Sequence, residues 1–183
     1  MHRTPTALPE VFTIVPDRHR DDRGFFSESF RAEWFPYLVF IQDNHSHSVH
    51  PGTLRGLHFQ VPPVEQAKLV RVARGRVRDV AVDLRRGSPT FLHSVSVELS
   101  AEGREQVFVP GDFAHGFVTL EPDTVVVYKV TNYHSQPHER GIAWDDPALG
   151  IDWGLEIEPF LSERDRRHPP FAVAESPFTY EVA

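Results

Sequence analysis

Apolar residues along this chain recur in short, often β-branched runs of strand length, several of them alternating with a period of two. Tyr37–Gln42, Lys68–Val72, Val77–Leu84, Phe91–Leu99, Gln106–Val109, Gly116–Leu120 and Thr124–Thr131 all read this way. In the clearest case Val77, Asp79, Ala81 and Asp83 fall on one face, and Arg78, Val80, Val82 and Leu84 on the other. Turn residues separate the runs, as in Ala73-Arg74-Gly75, Arg86-Gly87-Ser88-Pro89, Pro110-Gly111-Asp112 and Glu121-Pro122-Asp123. Helix is predicted only over Ser29–Trp34 and Ser162–His168, a turn or two each. The 16 prolines and 11 glycines are spread between the runs, and no repeat, low-complexity segment or linker divides the chain. The pattern predicts one all-β domain over residues 1–183, a sandwich or barrel.

Polar residues interrupt these strands at positions where an apolar core would reject them. Arg55-Gly56-Leu57-His58 puts an arginine and a histidine three apart in a strand-like run. Burying either alone costs several kcal/mol, so each needs a partner or a wet cavity. For any single residue a surface strand explains as much. The pattern recurs, however: Lys68 begins an apolar strand, His115 lies in Phe113-Ala114-His115-Gly116-Phe117, and Tyr128 follows three valines. Repeated ionisable groups among apolar neighbours predict the lumen of a small barrel that holds a polar ligand.

Composition narrows the chemistry. With 183 residues the chain can bury roughly 70% of its unfolded surface, enough for a core without staples. The absence of cysteine excludes disulfides, thiolate zinc sites, iron–sulfur clusters and cysteine nucleophiles. A net charge of −7 argues against a nucleic-acid partner. No apolar run nears the ~18–20 residues that span a bilayer. Met1-His2-Arg3-Thr4-Pro5 has no apolar signal region, so a cytoplasmic protein without membrane contact is expected. Eleven histidines raise the question of a metal. His45-Ser46-His47, with His50 nearby and His115 downstream, has part of a ligand pattern, but no carboxylate follows within the next turn or strand. Histidines serving as hydrogen-bonding or acid–base groups, with no metal, are therefore expected. Phosphate-loop, dinucleotide and nucleophile-elbow fingerprints are absent.

Seven strings taken in order resemble the dTDP-4-dehydrorhamnose 3,5-epimerase family. They are Arg55-Gly56-Leu57-His58-Phe59-Gln60, Gln66-Ala67-Lys68-Leu69-Val70, Asp79–Arg85 with Gly87–Phe91, Val109–Phe117, Glu139-Arg140-Gly141-Ile142, Asp146–Trp153 and Leu161-Ser162-Glu163-Arg164-Asp165. The resemblance as a whole runs from about Arg23 to Pro170. The resemblance implies a cupin-type double-stranded β-helix, or jelly roll, with short peripheral helices and no cofactor. The implied substrate is dTDP-4-dehydro-6-deoxy-D-glucose, whose C4 ketone acidifies the C3 and C5 protons.

On the same resemblance His58 is the base, Asp165 its carboxylate partner, Lys68 the cation at the enolate oxygen and Tyr128 the acid on the far face. Substrate would be held by Gln42, Asn44, Arg55, His115, Glu139 and Arg164, and by Arg23, Phe26 and Glu28 lent to the neighbouring subunit of a homodimer. Phe26 would stack on the thymine. The chain departs from the family pattern in three places: Tyr133-His134 replaces a Tyr-Tyr pair, Arg164 replaces a lysine and Phe59 a tyrosine. If His134 lines the site, the balance between C3 and C5 inversion changes. Two alternatives follow: a 3- or 5-monoepimerase of another deoxysugar pathway, and a cupin that binds a sugar nucleotide without turning it over. A metal-dependent cupin dioxygenase is a third.

Overall fold

The computed structural model describes residues 2–174 and 176–181. Six strands form one antiparallel sheet, in the order β1 (His2–Pro5), β2 (Phe12–Val15), β10 (Gln106–Val109), β7 (Lys68–Arg74), β12 (Thr124–Val130) and β5 (Gln42–Ser48). A five-stranded sheet lies against it, in the order β13 (Glu139–Gly141), β6 (Leu54–Gln60), β11 (Phe113–Thr119), β8 (Arg76–Asp83) and β9 (Ser94–Ser100). A small hairpin, β3 (His19–Asp21) with β4 (Gly24–Phe26), belongs to neither. This is the all-β jelly roll of cupin type that the resemblance implied.

The alternation in the sequence sorts side chains into three apolar layers. Val70, Val72, Val77, Ala81, Val107, Phe113, Phe117 and Val126 meet between the two sheets. Val80, Val82, Ala114 and Val118 point the other way from β8 and β11 and are covered by the C-terminal segment through Ile142, Leu149, Trp153 and Phe178. The outer face of the six-stranded sheet, with Phe12, Leu69 and Phe108, is covered by Phe30, Trp34, Phe35, Leu38 and Phe40. The two acids on the inner face of β8 are buried and paired: Asp83 accepts from Arg85 Nε at 2.9 Å and Nη2 at 2.8 Å, and Asp79 meets His115.

The strand expected over Tyr37–Gln42 is not formed; β5 starts at Gln42. The alternation of burial there is real, since Leu38 and Phe40 pack on the outer layer while Tyr37 and Val39 are 95% and 73% exposed. It records one-sided burial without a neighbouring strand to bond. The helix expected over Ser29–Trp34 reduces to a 3-10 turn, Ala32–Trp34, and that over Ser162–His168 to Asp165–Arg167. A short α-helix, α1 (Phe171–Ala174), was not anticipated.

Candidate active site

The site grows from an irregularity in β6. His115 of β11 pairs with His58, but Phe117, two residues on, pairs with Arg55, three residues back, so β6 carries one extra residue. Gly56 takes that residue with φ +139°, and a Cβ there would come within 2.5 Å of Gly116 Cα. In a regular strand Arg55 and His58 would face opposite sides. The bulge turns both inward, to a cavity of about 290 Å³ between the sheets.

His58 and Asp165 form the centre of one wall. His58 Nε2 lies 2.6 Å from Asp165 Oδ1, while Ser162 Oγ donates to Oδ2 at 2.8 Å and accepts from the Asp165 N–H at 3.0 Å. Burial pushes the Asp165 carboxyl up, but the approach of His168 and hydrogen bonds with His58 and Ser162 outweigh it and hold the group well below the usual carboxylate range. The ionised carboxylate therefore takes the Nε2 proton of His58 as a donor and leaves Nδ1 as the free lone pair. Burial also lowers the His58 pKa, with Lys68 and His168 adding to the effect and Asp165 opposing it.

The facing sheet supplies Lys68 from β7 and Tyr128 from β12, two strands that pair directly. Burial brings the Lys68 ammonium down to about 8 against the charges of Asp79 and Glu139; its Nζ donates to the His58 carbonyl at 3.4 Å. Burial raises the Tyr128 phenol, which stays protonated at neutral pH. Around this centre lie Arg55, His115, Glu139 and Arg164, so eight of the thirteen site residues expected from the sequence share one cavity. His115 Nε2 sits 2.9 Å from both oxygens of Asp79. Arg55 is steered by the His47 carbonyl at 3.2 Å. Gln42 and Asn44, on β5, do not line this cavity; their side chains are joined to each other at 2.7 Å, Asn44 stands opposite Tyr128, and Gln42 Oε1 accepts from the His134 N–H at 3.4 Å.

Arg23, Phe26 and Glu28 are not brought to this cavity. Arg23 bonds Asp21, Glu28 bonds Arg31 at 2.8 Å, and Phe26 stands 67% exposed on the β3–β4 hairpin. His45 and His47 point away from Ser46, which lines the cavity; both are exposed, and His47 meets Asp123 at 3.2 Å. A metal held by that pair together with His115 is therefore not built. Among the described residues one group has donor atoms within 4.8 Å of one another, namely His58, Asp165 and His168. Two of the three are already hydrogen-bonded to each other, as an acid–base pair is.

Of the departures, His134 does line the cavity. His134 Nε2 and Arg164 Nη2 both reach Glu139 Oε2 at 2.7 Å, and together they lower its pKa against burial. Phe59 instead packs against Phe178 on the covered outer face, away from the chemistry. Asp79 and His168 were missed by sequence reasoning. The signal for Asp79 was present: an acid on the inner face between Val77 and Ala81 needs a buried partner.

A sequence model of the dTDP-4-dehydrorhamnose 3,5-epimerase family matches residues 5–173. The dTDP-4-dehydrorhamnose 3,5-epimerase of Sinorhizobium fredii is 48% identical over 99% of this chain and 94% of its own. That of Pseudomonas aeruginosa is 48% identical over 96% and 98%. The crystal structure of dTDP-6-deoxy-D-glucose-3,5-epimerase from Legionella pneumophila, in complex with dTDP-4-keto-L-rhamnose, superposes with a TM-score of 0.93 at 40% identity, covering 99% of both chains. With the family profile spanning nearly the whole chain and relatives this close, the protein belongs to the dTDP-4-dehydrorhamnose 3,5-epimerase family.

Proposed function

We propose that this protein is a cofactor-independent isomerase that inverts C3 and C5 of dTDP-4-dehydro-6-deoxy-D-glucose, in dTDP-L-rhamnose synthesis. The observation that carries the reading is the placement of a base and an acid on facing sheets, His58 on β6 and Tyr128 on β12, across one cavity. Inversion needs that arrangement, because the proton must leave one face of the carbon and return to the other. His58 Nδ1 takes the proton from carbon, and the C–H electron pair moves into the enolate with its charge on the C4 oxygen. Lys68 stabilises that oxygen, and Tyr128 returns a proton from the opposite side. Asp165 holds the His58 tautomer and stabilises the imidazolium that forms. Binding alone would require no such pair.

Arg55, His115, Glu139 and Arg164 surround the cavity and suit a nucleotide sugar, the arginines binding diphosphate through charge-assisted forks and the Glu139 carboxylate accepting from hydroxyl groups. The thymine contact falls to Phe26, with Arg23 and Glu28, from the hairpin of a second subunit in a homodimer. A cytoplasmic location fits a charged nucleotide sugar that does not cross a bilayer unaided.

The test is proton NMR of dTDP-4-dehydro-6-deoxy-D-glucose with the protein in D2O. We expect deuterium at both C3 and C5, and none with His58→Ala. Deuterium at one carbon only would make the protein a monoepimerase and turn attention to His134. No exchange with the nucleotide still bound would leave a binding protein.

A further inference from the structure

Asp165 is shared by two histidines. Its Oδ1 lies 2.6 Å from His58 Nε2 and 3.4 Å from His168 Nε2. His168 does not line the site cavity. It lines a separate depression of about 660 Å³, and its side chain is only 9% exposed. Its Nε2 has no well-formed hydrogen bond, so the Asp165 oxygen is its only near charge partner among the described residues. The ring meets His58 edge-on, centroids 5.3 Å apart at 77°.

The strands make room for this ring. Gly141 of β13 pairs with His58 of β6, and a Cβ on Gly141 would come within 2.2–2.4 Å of the His168 ring atoms. The imidazole thus occupies the space that a side chain at position 141 would take, beside the base. The 3-10 turn Asp165–Arg167 carries the carboxylate and delivers His168 three residues later.

We propose that His168 is a positioning residue for the base: it braces the edge of the His58 ring and draws on the Asp165 oxygen that His58 uses. The inference rests on the epimerase reading for its role in turnover, although its structural part does not. A carboxylate oxygen approached by two donors gives less to each. Asp165 therefore holds the His58 imidazolium less tightly than an undivided carboxylate would, and His58 remains the neutral base. The charged and titratable groups facing the pair are Arg55 from β6, Lys68 from β7, His115 from β11, Tyr128 from β12, His134 ahead of β13, Glu139 and Arg140 from β13, and Glu163, Arg164 and Arg167 around the turn. None of these is altered in the variants that follow.

The titration of His58 is followed by NMR in the substrate-free protein, alongside the acid limb of kcat/KM from deuterium exchange. With His168→Leu we expect the His58 midpoint to rise by about 0.5–1 pH unit, since Asp165 then serves His58 alone. His168→Gln, which keeps an N–H donor, should restore most of the difference. Gly141→Ala, which displaces the ring, should move the midpoint the same way with His168 still present. If leucine does not fold at this site, His168→Asn, too short to reach Oδ1, replaces it. Equal loss of activity in the leucine and glutamine variants with an unmoved His58 midpoint would reduce His168 to core filling and overturn the proposal. A His58 midpoint that shifts in the leucine variant while the wild-type protein exchanges no deuterium would sink the epimerase reading and leave the positioning role standing.

Discussion

On the proposed mechanism Lys68 should set the upper edge of the working pH range. Its ammonium titrates at about 8 because burial disfavours the charge, and only the charged form can stabilise an enolate oxygen. As pH rises through that value kcat/KM should fall about tenfold per unit. His58, lowered by burial, must be neutral to accept a proton, so the acid limb should lie below the ordinary imidazole value of about 6.5. Tyr128, raised by the same burial, cannot be the group lost near 8. Lys68→Met should remove the alkaline limb and lower the plateau roughly 10²–10³-fold, as loss of an oxyanion donor does. A limb that persists in that variant would assign it elsewhere. His58, Lys68, His115 and Tyr128 were legible because each is out of place in a strand, and Asp165 with its pairing to His58 only through the family resemblance; what stayed hidden were the partners Asp79 and His168. Asp79 with His115, and His168 with Asp165, are contacts between segments 36 and 3 residues apart whose geometry depends on the register of β8 on β11 and on the turn after Ser162.

Arg55 and His58 share a cavity because β6 is bulged, and the bulge depends on two facing glycines. Alanine at position 56 would place its Cβ 2.5 Å from the Gly116 backbone, at a φ that L side chains rarely adopt. Neither strand can yield without losing ladder hydrogen bonds, so Gly56→Ala should cost about 2–4 kcal/mol and reduce activity beyond that loss by parting Arg55 from His58. Denaturant unfolding and exchange on the folded fraction separate the two effects. A variant as stable and active as the parent would show that β6 needs no bulge. The bulge lay hidden in the sequence for the reason that makes it useful. An extra residue breaks the period of two, so Leu54–Gln60 reads as strand-like but puts Arg55 and His58 on opposite faces, although both enter the site. The opposite error, at Tyr37–Gln42, came from a continuous apolar run, Tyr37 to Ile41, with no strand beside it. Periodicity reports which side is buried, whereas strand formation also requires a partner edge.

At the scale of the molecule, one chain holds the acid–base machinery but not all the groups expected to bind the base. The hairpin β3–β4 stands outside both sheets and leaves Phe25 and Phe26 58% and 67% exposed, with the Arg18 guanidinium over the Phe25 ring at 4.1 Å. If Phe26 stacks on the thymine of a neighbouring site, Phe26→Ala should raise KM roughly 5- to 100-fold with kcat little changed, the equivalent of about 1–3 kcal/mol of stacking. That result alone would not tell a neighbouring site from the chain's own. Co-expression of His58→Ala with Phe26→Ala does. Each mixed dimer then contains one site with neither residue and one with both: the base from the Phe26→Ala chain and the hairpin from its partner. At low substrate, where each parent is nearly silent, the mixture should recover about a quarter of wild-type activity, because half the dimers are mixed and each carries one whole site. A hairpin serving its own chain would leave every site in the mixture defective, and the activity would not exceed the average of the two parents.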